Sequence, residues 1–233
     1  FALPDARPVY GGTYFPKKSW LHILQSIHDE FKNNPDKFNE YATNLTEGIK
    51  QSELIEINKS EESFKYSTIQ KMVESWKNSW DNKEGGPNRA PKFPIPNNYE
   101  FLLQYTCLSN DKESRKHLEL TLDKMAMGGI YDQIGGGVSR YSTDALWKIP
   151  HFEKMLYDNA QLVSLYSQAF AYTKNEEYKR IVTQTLAFVE KELTDKTGAF
   201  YSALDADTEG EEGKYYVWKK EELENILGED YNW

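Results

Sequence analysis

The chain has 233 residues and a formal net charge of −9, with 39% hydrophobic and 28% charged residues. These values are ordinary for a globular protein, and a chain this long buries enough surface to fold without a disulfide or a metal. Its acidic balance, without a cluster of Lys and Arg, argues against nucleic-acid binding. No stretch approaches the roughly 20 apolar residues that a membrane span needs.

The single cysteine, Cys107, falls in a helix-like run, where a buried or half-buried thiol is expected. Without a CxxC pair the chain carries no dithiol redox motif, and the cytoplasm is its default compartment. The chain starts at Phe1 without a leader and stops at Trp233 soon after a helical pattern begins. We therefore expect an internal fragment of a larger protein.

Turn residues and apolar periodicity predict the elements in chain order. Residues 1–16 are rich in Pro, Gly and aromatics, with a short strand expected at Val9 and Tyr10. Apolar residues at three- and four-residue steps then predict helices at 20–31, 35–52, 67–81, 97–108, 111–126, 151–173 and 175–194, with a last helix from Glu221. A charged loop is expected at 53–66. Short strands are expected at 199–203 and 214–218, joined by an acidic turn.

A unit of two helices and a loop with Gly and aromatic residues recurs, with its loops at 85–93, 128–141 and 198–201. The spacing is uneven, so the repeat is architectural and not a strict sequence repeat. Paired helices with ligand-bearing loops at one end predict a mainly α fold, an α/α barrel or solenoid with short β-hairpins in its loops. A purely structural helical array is the alternative, although long loops are often functional.

The densest polar stretch surrounds His151. Because His151 follows Pro150, we expect it at a helix start, where the helix dipole favours a neutral imidazole that can act as a base or bind a sugar hydroxyl. Asp158, seven residues later, would share its helix face. The alternatives are a capping or loop-anchoring histidine and, for Glu153, an exposed acid of the first helical turn.

Asp205 and Asp207 form the second candidate. In an extended segment they point the same way, and two such carboxyls shift each other's pKa apart, as an acid/base pair requires. The stretch resembles the start of a calcium loop, but its twelfth position is Tyr216, so we predict no metal. The Gly135–Gly137 run lacks the strand–GxGxxG–helix context of a dinucleotide site, and no cofactor is predicted. A solvated hairpin turn is the alternative here.

The Tyr, Trp and acidic residues of these loops are typical of a sugar site, where rings stack on aromatic faces and acids bind hydroxyls. Lys92, held by neighbouring prolines, either lines such a pocket or packs between hairpins. The catalytic candidates are His151, Glu153, Asp205 and Asp207. The substrate-binding candidates are Lys92, Asp132, Arg140, Tyr141, Trp147, Asp158 and Asn159.

Four strings carry a family resemblance: GGTYFP (11–16), APKFP (90–94), GGIYDQIGGGVSRYSTDALWKIPHFEKMLYDNAQL (128–162) and FYSALDADTEGEEGKYYVW (200–218). They resemble the thioredoxin-domain-containing family that includes spermatogenesis-associated protein 20 and bacterial relatives. In that family a thioredoxin-like domain precedes a six-hairpin α/α toroid similar to N-acylglucosamine 2-epimerases and glycoside hydrolases. The thioredoxin-like active-site region would lie upstream, so no redox residue is carried over.

The resemblance implies that residues 1–16 are the tail of a thioredoxin-like domain, 17–66 a helical linker region and 67–233 the first part of a toroid. We expect a carbohydrate-active or sugar-binding toroid, epimerase-like or glycosidase-like, in which His151 and Asp205 or Asp207 converge in one cavity. The alternative is a non-catalytic partner-binding or scaffold domain attached to the thioredoxin-like redox domain. Hairpin faces left open in a partial toroid would favour homo-oligomers.

Overall fold

The computed structural model describes residues 1–54 and 65–232. They belong to two compact units, Phe1–Ser63 and Phe64–Trp233. Most of the charged loop expected at 53–66 lies outside the described residues. Within the described ranges, no helix is both long and apolar enough to cross a membrane.

The first unit is a pair of helices with a small core. Helix α1 spans Lys17–Asn33 and α2 spans Pro35–Glu53, with a proline at the first turn of α2, where its missing N–H costs nothing. The core consists of Leu3, Val9 and Ala42, with Phe38 packed against them. The strand expected at Val9 and Tyr10 is wrong, because this segment forms only an isolated bridge between Ala2 and Pro8.

The second unit is built from helical hairpins. Its helices are α3 (Tyr66–Lys77), α4 (Pro96–Ser109), α5 (Lys112–Met127), α6 (Leu156–Thr173), α7 (Glu176–Glu192) and α8 (Lys220–Leu227). Two-residue connections make α4–α5 and α6–α7 antiparallel pairs, and Asp111 and Asn175 cap the second helix of each pair. The long segments 78–95, 128–155 and 193–219 therefore emerge together at the opposite end of the hairpins.

Helix α6 packs against both α4 and α7, and α5 also contacts α7. Fully buried side chains, such as Leu102, Leu122 and Leu165, fill the space between the hairpins. The mainly α architecture predicted from the sequence is confirmed, and the predicted bounds of α4 and α5 differ from the observed ones by one residue at each end. Pro96 in the first turn of α4 and Gly128 directly after α5 mark these ends in the sequence.

Short antiparallel strands join the long loops. They pair β1 (Tyr141–Ser142) with β2 (Pro150–His151), β3 (Lys154–Met155) with β4 (Ala203–Leu204), and β5 (Asp207–Thr208) with β6 (Glu211–Glu212). The β3–β4 pair connects the second long loop to the third. An isolated bridge between Lys92 and Ser142 connects the first loop to the second. The loops therefore form one continuous layer.

Three local predictions are wrong. Helix α6 begins at Leu156 and not at His151, because residues 150–155 use their backbone groups in strand pairing. The strand expected at 214–218 is instead a single 3-10 turn, Lys214–Tyr216. Cys107 is exposed on α4 and not buried.

The first two long loops repeat one local structure. In each, an aspartate accepts backbone N–H groups two and three residues further on and binds a buried lysine, as Asp81 does with Lys92 and Asp132 with Lys154. Each ammonium also donates to the carbonyl four residues after its aspartate. In the third loop, Asp195 accepts from the Thr197 N–H and the Tyr201 hydroxyl. We call these the Asp81, Asp132 and Asp195 loops.

Candidate functional site

The Asp81 loop is closed by a tryptophan. Lys92 is fully buried, with its Nζ 5.6 Å from the centre of the Trp147 ring. The indole Nε1 of Trp147 donates to the Glu84 carbonyl at 3.0 Å. Gly86 has a φ of +73°, and a Cβ there would lie 2.5 Å from the Trp147 ring, so only glycine allows this contact. No room for a ligand remains beside Lys92.

The Asp132 loop has the same construction with a looser cover. The Nζ of Lys154 lies 4.6 Å from the centre of the Phe188 ring and 4.9 Å from that of Tyr216. Lys154 is buried, but Tyr216, which occupies the covering position of Trp147, is only half-buried. Open space therefore lies on both sides of Tyr216, next to Asp132.

This space forms two cavities of about 330 Å³ each. The first, which we call the acidic cavity, has walls that include Phe188, Lys191, Glu192, Asp205, Asp207 and Tyr215. The second, which we call the loop cavity, has walls that include Gln133, Ile134, Ser139, Lys148, Pro150 and Phe152. Asp132, Lys154 and Tyr216 line both cavities. They therefore form a common wall.

The charges of this common wall are fixed by its contacts. The Nζ of Lys154 lies 2.8 Å from Oδ2 of Asp132. Burial alone would raise the pKa of Asp132, but hydrogen bonds from Lys154 and from two backbone N–H groups outweigh it and lower the pKa. Burial raises the pKa of the Tyr216 phenol to about 12, so at neutral pH the hydroxyl keeps its proton and can donate it in a hydrogen bond.

The two aspartates of the predicted acid/base pair both line the acidic cavity, where they join Asp132. Both are exposed, and Oδ1 of Asp205 accepts the N–H of Asp207 at 3.1 Å. Among the described side chains, neither carboxylate forms an ion pair. The mouth of the cavity therefore carries negative charge that can accept hydrogen bonds from a ligand.

His151 lies outside both cavities. It sits on β2, and its neighbours Pro150 and Phe152 line the loop cavity, so strand alternation directs His151 to the other side. Its Nδ1 is 2.7 Å from Oε1 of Glu212 and its Nε2 is 3.5 Å from Oε2 of Glu153. The expected convergence of His151 with Asp205 is therefore wrong, and the dipole argument fails because His151 is not at a helix start.

The remaining polar candidates gather around His151 in what we call the His151 cluster, made of Arg140, Tyr141, His151, Glu153 and Asp158. Arg140 pairs with Glu153 at 3.1 Å, and the rings of Tyr141 and His151 stack with centres 5.0 Å apart. Burial raises the pKa of Asp158, against the opposing effect of nearby Arg140. These contacts fit the loop-anchoring alternative for His151.

Three residues that were predicted to bind substrate have structural roles instead. Lys92, Trp147 and Asn159 have no exposed surface, so none can touch a ligand in this conformation. Asn159 exchanges hydrogen bonds with both backbone groups of Val138 and also donates to the Met155 carbonyl. Lys92 and Trp147 close the Asp81 loop. Buried polar groups of this kind stabilise loops because every donor and acceptor is satisfied.

Lys154, Phe188 and Tyr216 were missed as site residues. A signal for Lys154 was present, since the strings DNKEGG (81–86) and DQIGGG (132–137) share the pattern D-x-x-x-G-G. Each is followed by a lysine near the start of the next helix, so the repeat predicts an Asp–Lys contact. Phe188 had no such signal, because a phenylalanine on an amphipathic helix reads as core.

The chain is similar in sequence to known proteins over nearly its whole length. It is 36% identical over 243 residues to human spermatogenesis-associated protein 20, a match covering 97% of this chain and 31% of that protein. It is 35% identical over 249 residues to an uncharacterised protein of Caenorhabditis elegans, covering 98% of this chain and 33% of that protein. The chain thus spans about a third of the length of these relatives. No protein-family model matches it.

Two solved structures share the fold. Cellobiose 2-epimerase from Bacillus thermoamylovorans superposes with a TM-score of 0.53 at 14% identity, covering 65% of this chain and 44% of that one. A sugar epimerase from a ruminal bacterium gives 0.53 at 17% identity, covering 60% of this chain and 40% of that one. The predicted fold, part of an epimerase-like α/α toroid, is confirmed.

Proposed function

We propose that the second unit binds a carbohydrate in the two cavities beside Asp132, as part of a sugar-active α/α toroid. The observation that carries the proposal is the opened Asp132 loop, which brings a carboxylate, an ammonium and aromatic rings to one cavity, whereas the matching Asp81 loop is closed. Aromatic walls with a few convergent polar groups are the usual composition of a small-molecule site. The two solved epimerases with this fold are consistent with a sugar ligand.

Proton transfer at this site would fall to the carboxylates of the acidic cavity. Asp205 and Asp207 can exchange protons with a bound ligand because they are exposed at its mouth, whereas Asp132 is held ionised by Lys154. Glycoside hydrolysis needs two carboxyls on opposite sides of the bond, and epimerisation needs an acid/base pair beside the carbon that is inverted. His151 would act by holding the hairpin that carries Asp207.

Calorimetric titration with neutral hexoses and their disaccharides tests binding. We expect Asp205→Asn and Asp207→Asn to weaken binding tenfold or more, while Glu211→Gln, an exposed change on the same hairpin outside both cavities, leaves it unchanged. Deuterium incorporation at C2 of a bound sugar in heavy water would report epimerase-like chemistry, and release of reducing ends would report hydrolysis. The proposal is lost if no neutral sugar binds.

The domain assignment is also a proposal. Residues 1–16 would be the end of a thioredoxin-like domain, 17–66 a helical linker and 67–233 the first part of the toroid, within a longer protein like the relatives. The similarity to spermatogenesis-associated protein 20, which covers 97% of this chain but 31% of that protein, supports a longer parent protein. Sequencing the complete transcript tests it, since a thioredoxin-like domain directly before Phe1 is expected.

A second function is favoured by one observation. Ile134, Tyr215 and Trp218 line a further cavity of about 230 Å³, and their side chains are strongly exposed. Exposed apolar clusters of this kind mark protein interfaces. The unit could therefore bind a partner or serve a thioredoxin-like domain without catalysis. Trp218→Ser, at a residue outside the acidic and loop cavities, should weaken partner capture but leave sugar binding through Asp205 intact.

A further inference from the structure

Tyr216 divides the site into two compartments of equal size. The acidic cavity and the loop cavity each measure about 330 Å³, close to the lower limit of roughly 300 Å³ for small-molecule sites. Each is therefore large enough to hold a sugar ring. A ligand that uses the whole site must have two such groups joined across Tyr216.

The dividing wall is held firmly in place. The Tyr216 ring stacks on Phe152 with centres 5.4 Å apart and an interplanar angle of 10°, and the Lys154 ammonium lies against its face. Gly213 lies directly against Phe152, where a Cβ would come within 2.4 Å of the ring, which closes the wall from behind. The two compartments therefore stay separate, and a bound ligand has to follow the groove past Asp132 and Lys154.

Each compartment has its own means of recognising a polar ring. The acidic cavity offers the carboxylates of Asp205 and Asp207 beside the exposed Tyr215 ring. The loop cavity offers the Lys148 side chain, the Gln133 amide and the Ser139 hydroxyl beside the Phe152 ring. Both sets combine hydrogen-bonding groups with an aromatic wall, which suits a sugar ring with one polar edge and one apolar face.

From this arrangement, and resting on the proposed function, we infer that the ligand is a glycan of at least two rings that lies across Tyr216. One ring occupies the acidic cavity and the next occupies the loop cavity, with the linkage between them over the Asp132–Lys154 pair. A monosaccharide fills only one compartment and leaves the polar groups of the other in water.

The experiment compares sugars of one and two rings, and it compares a loop-cavity variant with the unaltered chain. Glucose, mannose and their β-1,4-linked disaccharides are titrated by calorimetry into the unaltered chain, into Lys148→Ala in the loop cavity, and into Lys116→Ala as the control. Both lysines are exposed, so neither change disturbs packing. We expect a disaccharide to bind at least tenfold more tightly than its monosaccharide. Lys148→Ala should reduce that advantage to less than threefold, and Lys116→Ala should leave it unchanged.

Equal affinity for a monosaccharide and its disaccharide in the unaltered chain would overturn the inference and leave the proposed function standing. A disaccharide advantage that Lys148→Ala does not reduce would also overturn it, because the second ring would then lie outside the loop cavity. Failure of every sugar to bind would instead overturn the proposed function, and this inference with it.

Discussion

At the scale of single residues, His117 is a histidine held in a buried site. It is 3% exposed, its ring stacks on Trp80 with centres 4.1 Å apart, and neither ring nitrogen has a hydrogen-bond partner among the described residues. Burial lowers the pKa of His117 from 6.5 to about 4. The folded state therefore keeps this imidazole neutral at a pH where the unfolded chain protonates it.

This difference predicts a loss of stability in acid. Above pH 6.5 the imidazole is neutral in both states; between 6.5 and about 4 only the unfolded chain binds the proton, so the free energy of unfolding falls as the pH falls. Between pH 7 and 5 the loss from this group is roughly 2 kcal/mol. Urea denaturation of the unaltered chain and of His117→Phe at both pH values measures it. Equal pH dependence in the two proteins would contradict the assignment.

His151 makes a different prediction, because it anchors the hairpin that carries Asp207. His151→Ala and Glu212→Ala should each weaken sugar binding severalfold, and the double variant should bind no more weakly than either single variant, since all three variants lose the same contact. Calorimetry on the four proteins gives the coupling free energy. Additive effects would show that His151 meets the ligand independently of Glu212.

At the scale of elements, the Asp81 and Asp132 loops form a natural matched pair. In both, removal of the carboxylate charge leaves a buried ammonium without its counter-ion, with Lys92 0% and Lys154 2% exposed. Asp81→Asn and Asp132→Asn should therefore each lower the free energy of unfolding by roughly 3 kcal/mol. Chemical denaturation measures this loss.

The same two variants should differ in function. Only Asp132 lines the cavities, so Asp132→Asn should abolish sugar binding while Asp81→Asn leaves it within twofold at a temperature where both variants are folded. If both variants lose binding to the same degree, Asp132 acts only through the stability of the loops.

The elements also show what sequence patterns can predict. Helices α4 and α5 were placed to within a residue because residues typical of helix ends flank them: Pro96 in the first turn of α4, Asp111 as the cap of α5 and Gly128 directly after α5. Residues 151–155 were assigned to a helix because their local pattern continues into α6. They are extended because His151 pairs with Tyr141, and residues 154–155 pair with residues 203–204, about 50 positions away. Such pairing is non-local, and no periodicity in one segment reports it.

At the scale of the molecule, the two units differ greatly in how much apolar surface they bury. Among the described residues, the core of the first has three buried residues and that of the second has twenty. Large side chains of the first unit, such as Trp20 and Phe31, stay substantially exposed. A unit of this size with so small a core cannot offset the entropy lost on folding.

We therefore expect residues 65–233 expressed alone to unfold in one cooperative thermal transition and residues 1–54 expressed alone to show none. Circular dichroism at 222 nm against temperature measures both. A cooperative transition in the short fragment would show that its helices are stable without further contacts. Loss of cooperativity in the long fragment would show that the second unit depends on the first.

Sequence patterns could predict the candidate site only in part, because strand pairing between distant loops decides which side chains face the cavities. Asp132, Asp205 and Asp207 were identified from residue type and spacing, but the choice between His151 and Lys154 depended on the direction of side chains along β2 and β3. The direction of these side chains follows from pairing among loops. The sequence pattern therefore predicted which polar residues matter, but not which of them line the cavities and which belong to the His151 cluster.

The stacked rings at the loop layer have one more consequence. Phe93 of the first loop stacks on Tyr141 of the second, with centres 4.5 Å apart, Tyr141 stacks on His151, and His151 holds Glu212 of the third. These side-chain contacts join all three loops outside the two cavities. Under the proposed function, exchanging the third loop alone for that of another toroid would remove Glu212 from this row, and we expect the exchange to disturb sugar binding although none of these residues touches the ligand.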